Sequence, residues 1–177
     1  MLTLIIPETE FYDEVLNEFK IVKEQKLVLE HSLLSVSKWE AKWRKPFLSR
    51  TKKNYAETID YIRCMTVNSV DPLVYKCIDS RLFRKINNYI EDPMTATTIS
   101  QINHPTREII TSEIIYYWMI ALGIPFECQK WHLNRLLTLI NVCNIKNKPQ
   151  KKMSKKEIAA RNSSLNAARR KALHTSG

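Results

Sequence analysis

Glycine is almost missing. Gly123 and Gly177 are the only two in 177 residues. A Walker loop or a dinucleotide-binding loop needs several, because the backbone must approach phosphates where a Cβ would intrude. Neither loop is encoded. The chain also lacks a G-x-S-x-G elbow, an H-E-x-x-H helix and an EF-hand loop. Its four cysteines (Cys64, Cys77, Cys128, Cys143) include no C-x-x-C pair. Buried thiols are expected rather than zinc ligands. The histidines, His31, His104, His132 and His174, stand far apart in the chain. His31 follows Glu30 at a strand-to-helix junction, where capping or packing is the expected role. His132, next to Trp131, reads as an ordinary packed histidine. Glu57 and Asp60 lie three apart on one helix and read as a solvated face. No enzyme, cofactor or metal centre is expected.

Long apolar runs are also scarce. The longest candidate, Ile114 to Phe126, is bracketed by Glu113 and Glu127. It is shorter than the roughly 18 to 20 residues of a membrane span. The start, MLTLIIPETE, has no basic residues and turns acidic at once, unlike a secretory leader. No membrane role and a cytosolic location are expected.

Acidic residues nearly vanish toward the C-terminus. From Lys146 onward there are ten basic residues and one acid, Glu157. The first 145 residues are almost neutral, with 18 basic and 17 acidic side chains. The basic character therefore belongs to the tail.

The elements that are present point to a mainly α (α+β) fold. Leu2, Leu4 and Ile6 precede Pro7, and Phe19, Ile21, Leu27 and Leu29 alternate with polar neighbours. Two or three short antiparallel strands are expected, with a reversal near Glu24-Gln25-Lys26. Leu33, Val36, Trp39, Glu40 and Trp43 fit a helix from Ser32 that Pro46 ends. A second helix spans Tyr55 to Val67, with Ile59, Ile62 and Cys64 near one side. Asp71-Pro72 has the form of a helix start. Leu82, Ile86, Tyr89 and Ile90 mark a further helix closed by Asp92-Pro93, and residues 93–105 read as a loop.

Thr106 to Asn144 reads as a central helical hairpin joined at Gly123-Ile124-Pro125. Its first helix stacks Ile110, Ile114, Tyr117, Trp118 and Ala121. Its second stacks Leu133, Leu136, Leu137, Ile140 and Cys143. Residues 147–152 form a linker. Ser154 and Glu157 match a capping box opening a helix from Lys155 to about Leu173. Its apolar stripe is thin, so it should protrude. The organisation expected is a β element over 1–31 packed on a helical body over 32–145, then a basic linker and helix over 146–177.

Aromatics are the candidate binding residues. Trp39 and Trp43 share a helix face. Tyr116, Tyr117 and Trp118 cannot all face one way, since consecutive helical residues point about 100° apart. With Trp131 they form either core and ordinary surface or a face for a protein partner. The tail cations Lys151, Lys152, Lys155, Lys156, Arg161, Arg169, Arg170 and Lys171 could engage nucleic-acid phosphates. No aromatic residue in the tail is available to stack on bases. In the hairpin only Lys130 and Arg135 could act as cations of a helix-turn-helix reader. The plainer reading is a solubilising extension that tethers an acidic protein.

The runs EHSLLSVSKWEAKWRKPFL (Glu30 to Leu48), DPMTATTI (Asp92 to Ile99), EIIYYWMIALGIPFECQKWHLNRLLTLINVCN (Glu113 to Asn144) and KKMSKKEIAARNSSLNAARRKALHTSG (Lys151 to Gly177) cover much of the chain. In them it resembles the tail assembly chaperones of long-tailed (siphovirus-type) bacteriophages. The resemblance implies a protein of the infected host cytoplasm that binds the tape measure protein and helps tail tube protein assemble around it. Members are generally absent from the finished virion, and many have a longer frameshifted form. It implies no catalytic residues. A homo-oligomer, a minor structural protein of the tail or neck, and a nucleic-acid-binding protein acting through the tail are the alternatives.

Overall fold

The computed structural model describes residues 1–13, 17–49, 51–98, 109–147 and 154–173. It forms two compact units, Met1–Asn144 and Ile145–Gly177.

The first unit opens with a β arm. Strand β1 (Leu2–Ile6) pairs antiparallel with β4 (Gln25–Leu29), from Leu2 opposite Leu29 to Ile6 opposite Gln25. Strand β2 (Thr9–Asp13) pairs with β3 (Glu18–Val22), from Thr9 opposite Val22 to Asp13 opposite Glu18. One register runs through both pairs, so they are two halves of a single long hairpin. The ladder breaks at Pro7, which has no N–H to donate. Glu24-Gln25-Lys26 is therefore not the reversal that the sequence suggests. The chain turns between Asp13 and Glu18, and Asn17 there takes a left-handed φ of 50°.

The core-facing side switches at the Pro7 joint. Leu4, Ile6, Leu27 and Leu29 are buried. In a flat ribbon Tyr12, Phe19 and Ile21 would continue that face. They are exposed, and Val22 and Phe11 turn inward instead. A two-stranded ribbon twists strongly enough to allow this once its ladder is interrupted. The free edge of β4 is covered by the segment leaving the second helix. Val67 N–H donates to the Val28 carbonyl at 3.0 Å, and Glu30 N–H to that of Met65 at 2.8 Å.

Helix α1 (Leu33–Trp43) starts where expected. The Ser32 hydroxyl caps it, and Arg44 ends it in the left-handed region with φ 52°. Helix α2 (Tyr55–Met65) opens on a capping box, Asn54 with Glu57, that sequence reading overlooked. Its buried apolar residues are Tyr61, Ile62 and Met65, while Ile59 and Cys64 are only half-buried. Asp71 caps a short 3-10 helix, Pro72–Cys77. Asp79 caps α3 (Ser80–Glu91), which stops before Asp92-Pro93.

The central hairpin differs from its sequence reading in two ways. Helix α4 (Ser112–Ala121) buries Ile115 and Met119, not the Ile114, Tyr117, Trp118 and Ala121 side. Apolar residues surround this helix, so periodicity alone does not select the inner stripe. The second helix, α5 (Leu133–Asn147), follows a 3-10 helix, Phe126–Lys130, instead of starting just after Pro125. Gly123 turns the chain at φ +64°. Within α5, Leu133, Leu136 and Ile140 are buried as the leucine pattern predicts.

Helix α1 lies centrally and packs on both α2 and α4. The second unit carries α6 (Lys155–Leu173), where every described residue is exposed. Its capping box is formed. Ser154 N–H donates to Glu157 at 2.7 Å, and Glu157 N–H to the Ser154 hydroxyl at 3.2 Å. Asn147 belongs to α5, and residues 148–153, with Lys151 and Lys152, lie outside the described residues. So do residues 99–105 of the loop before the hairpin. Among the described residues no helix is long and apolar enough to cross a membrane.

Candidate partner-binding surface

The two α1 tryptophans bolt α1 to α2. Their rings stack with centroids 6.2 Å apart. Trp39 is 1% exposed and donates its indole N–H to the Glu57 carbonyl at 2.8 Å. It is a core residue, out of a partner's reach in this fold. Trp43 is half-buried and donates to the Asp60 carboxylate at 2.8 Å. Glu57 and Asp60 are not a solvated face either. Both are buried. Lys45 pairs with Glu57 at 2.5 Å, and Lys42 pairs with Asp60. The Lys45 hydrogen bond, helped by the Asn54 N–H, lowers the Glu57 pKa. Spacing hides this arrangement, because the lysines come from α1 and the loop after it.

The hairpin aromatics divide. Tyr116 is half-buried and donates to the Gln129 side chain at 2.9 Å. Trp118 and Trp131 are half-buried, and the Arg135 guanidinium lies 4.3 Å from the Trp131 ring centre. Tyr117 is 66% exposed. One turn on, Ile120 is 64% exposed, and Phe126 is 52% exposed with its ring 6.4 Å from that of Tyr116. The outward apolar set is therefore Tyr117, Ile120 and Phe126, with Tyr116 behind. Sequence reading missed Ile120 and Phe126. The available signal was the excess of apolar residues beyond one helix face.

Two histidines that look unrelated in the sequence meet in the fold. The His31 and His132 rings are 4.9 Å apart, both buried. His31 Nδ1 lies 2.5 Å from the Tyr61 hydroxyl. His132 Nε2 lies 2.9 Å from the Tyr89 carbonyl, which can only accept, so this nitrogen carries the proton. His132 Nδ1 is then a buried acceptor without a hydrogen-bond partner. Burial, with the charge of His132, pushes His31 down to about 3. Burial also lowers His132 and raises the Tyr61 hydroxyl well above its ordinary value. The cluster ties the β4–α1 junction to the start of α5, where Leu133 N–H donates to the His31 carbonyl at 2.9 Å. Among the described residues, no group of three or more His, Cys, Asp or Glu is placed to hold a metal ion.

Helix α6 presents Lys155, Lys156, Arg161, Arg169, Arg170 and Lys171, all exposed. At about 100° per residue these point around the whole helix rather than along one face. That geometry suits diffuse attraction of acidic partners more than a fixed register on a duplex. No family model, curated protein or solved structure matches the chain.

Proposed function

We propose that the protein is a tail assembly chaperone of a long-tailed bacteriophage. It holds the tape measure protein in the host cytoplasm while tail tube protein assembles around it. The sequence runs quoted above motivate the reading. The observation that carries it is the outward apolar group of Tyr117, Ile120 and Phe126 on the central hairpin. A monomer gains nothing from exposing large apolar side chains side by side, whereas a holdase needs them. Tyr117 and Ile120 sit on α4, fixed from behind by buried Ile115 and Met119, and Phe126 on the 3-10 helix that follows, so their backbone needs no ordering on binding.

The test is co-expression of the tape measure protein with and without this chain. Greater soluble client with the chain is expected, and equal amounts overturn the reading. A Tyr117→Ser, Ile120→Ser double variant should keep the parental melting temperature and bind client at least about tenfold more weakly. Parental client binding by that variant would remove the hairpin from the site.

A nucleic-acid reading is favoured only by the exposed cations of α6. A duplex gel shift at low salt decides it. Retardation that disappears in an Arg169→Glu, Arg170→Glu variant supports it, and no retardation ends it.

A further inference from the structure

A groove follows the outer side of α2. One concavity, of about 370 Å³, lies among Trp43, Tyr55, Ile59 and Tyr75. A second, of about 420 Å³, continues past Thr66 and Asn68. Arg63 and Tyr75 line both, so the two are neighbours along α2. Trp43, Tyr55 and Tyr75 wall the first, Tyr75, Val70 and Pro72 supply the apolar wall of the second, and the Arg63 guanidinium is 5.1 Å from the Tyr75 ring centre.

Cations gather along this face. The first 145 residues are close to neutral overall, yet Lys42, Arg63 and Lys76 all border the first concavity. Asp60 is the one acid there, and it is buried against Lys42 and Trp43. One helical turn earlier, Lys45, Lys52 and Lys53 border a third concavity of about 290 Å³ beside Trp39. Its acid, Glu57, is buried and paired with Lys45.

We propose that this groove binds an extended acidic peptide segment whose apolar side chains alternate with carboxylates. Ala56 to Thr66 advances about 15 Å along the helix axis, the reach of four or five extended residues. In an extended chain alternate side chains point the same way, about 7 Å apart. Two neighbouring concavities that share the Tyr75 wall receive such side chains, and the bordering cations meet the carboxylates between them. The inference concerns the kind of segment gripped and stands whether or not its source is a tape measure protein.

The experiment uses the full-length protein and a fluorescein-labelled nine-residue peptide alternating glutamate with leucine and tyrosine, read by anisotropy. Arg63→Glu is the diagnostic variant, because Arg63 is exposed and lines both concavities, and an unchanged melting temperature checks that Tyr75 behind it stays packed. An Arg169→Glu, Arg170→Glu variant reports the contribution of α6. The expected result is at least a tenfold rise in Kd for Arg63→Glu, a change within threefold for the α6 variant, and no binding of the same peptide with lysine for glutamate. Parental binding by Arg63→Glu overturns the proposal. So does a larger loss in the α6 variant, or displacement of the peptide by a single-stranded oligonucleotide of equal charge, which would make the groove a nucleic-acid site. Intact peptide binding by the Tyr117→Ser, Ile120→Ser variant, together with lost client, separates this groove from the hairpin surface.

Discussion

Glu40→Ala is expected to destabilise the protein by about 3–5 kcal/mol, the range for stripping a buried carboxylate from the groups it serves. Glu40 is buried on α1. One oxygen accepts from Phe47 N–H at 2.6 Å and the other from Ser112 N–H at 2.7 Å. The second bond spans 72 residues. The first turn of a helix has N–H groups without intrahelical partners, and Thr111 supplies no side-chain cap to α4. A carboxylate from α1 does it instead, with its negative charge at the positive end of the α4 dipole. Alanine leaves two buried donors unpaired, each costing about 1–3 kcal/mol. Glu40→Gln retains one acceptor oxygen and turns an amide N–H toward the other donor, so it should fall between parent and alanine. Urea unfolding with an unchanged m-value measures both. A loss below about 1 kcal/mol for alanine would mean that water or a neighbour satisfies those donors.

Local chemistry was legible in the sequence. Ser32, Asp71 and the Ser154–Glu157 box each announce a helix start with side chains that reach only a few residues, and each is formed. Asp92-Pro93 stops α3 for the same kind of reason. The mainly α architecture, the small N-terminal β element and the C-terminal helix follow from such signals. The β arm was only partly legible. Pro7 interrupts its ladder without shifting the register, and no alternation pattern announces that the inner face switches there. The 3-10 helix after Pro125 was hidden because its apolar and turn residues equally suit the start of an α-helix.

The candidate site shows the same limit. Trp39 and Trp43 share a helix face, as their spacing says. Which of them is covered depends on Glu57, Asp60 and Phe47, which come from elsewhere in the chain. The sequence shows that Tyr116, Tyr117 and Trp118 cannot all face inward, but its stacked pattern puts Tyr117 inside, where the structure turns it outward. Neither Tyr117 nor Ile120 was legible as outward-facing, because α4 carries more apolar residues than one face can bury and only the packing of Ile115 and Met119 settles which stay outside. Glu40 and the His31–His132 pair carry no local signature at all.

That histidine pair should make the fold acid-sensitive well before its carboxylates titrate. Burial holds His31 at about 3, against an ordinary value of 6.5. Above pH 6.5 the ring is neutral in both folded and unfolded chains and adds no pH dependence. Below it, the unfolded chain takes up a proton that the folded one refuses. Stability then falls as pH drops toward the folded value, by about 1.4 kcal/mol per pH unit. His31 alone should therefore remove about 2 kcal/mol by pH 5. His132 is lowered too, by burial first, and pulls the same way. Glu57, whose pKa is lowered, withdraws its contribution only as pH falls below the ordinary carboxylate range. The window between pH 6.5 and 4.5 thus belongs to the histidines. Urea midpoints at pH 7.5, 6.5, 5.5 and 4.5 should decline steadily through it. His31→Phe keeps a ring in place but removes the hydrogen-bond partner of the buried Tyr61 hydroxyl. It should cost about 1–3 kcal/mol at pH 7.5 and flatten the slope, leaving the part due to His132. A parent whose stability is flat across this window would show that the pair opens to solvent and is protonated without unfolding, and a His31→Phe variant with the full parental slope would show that other groups set it.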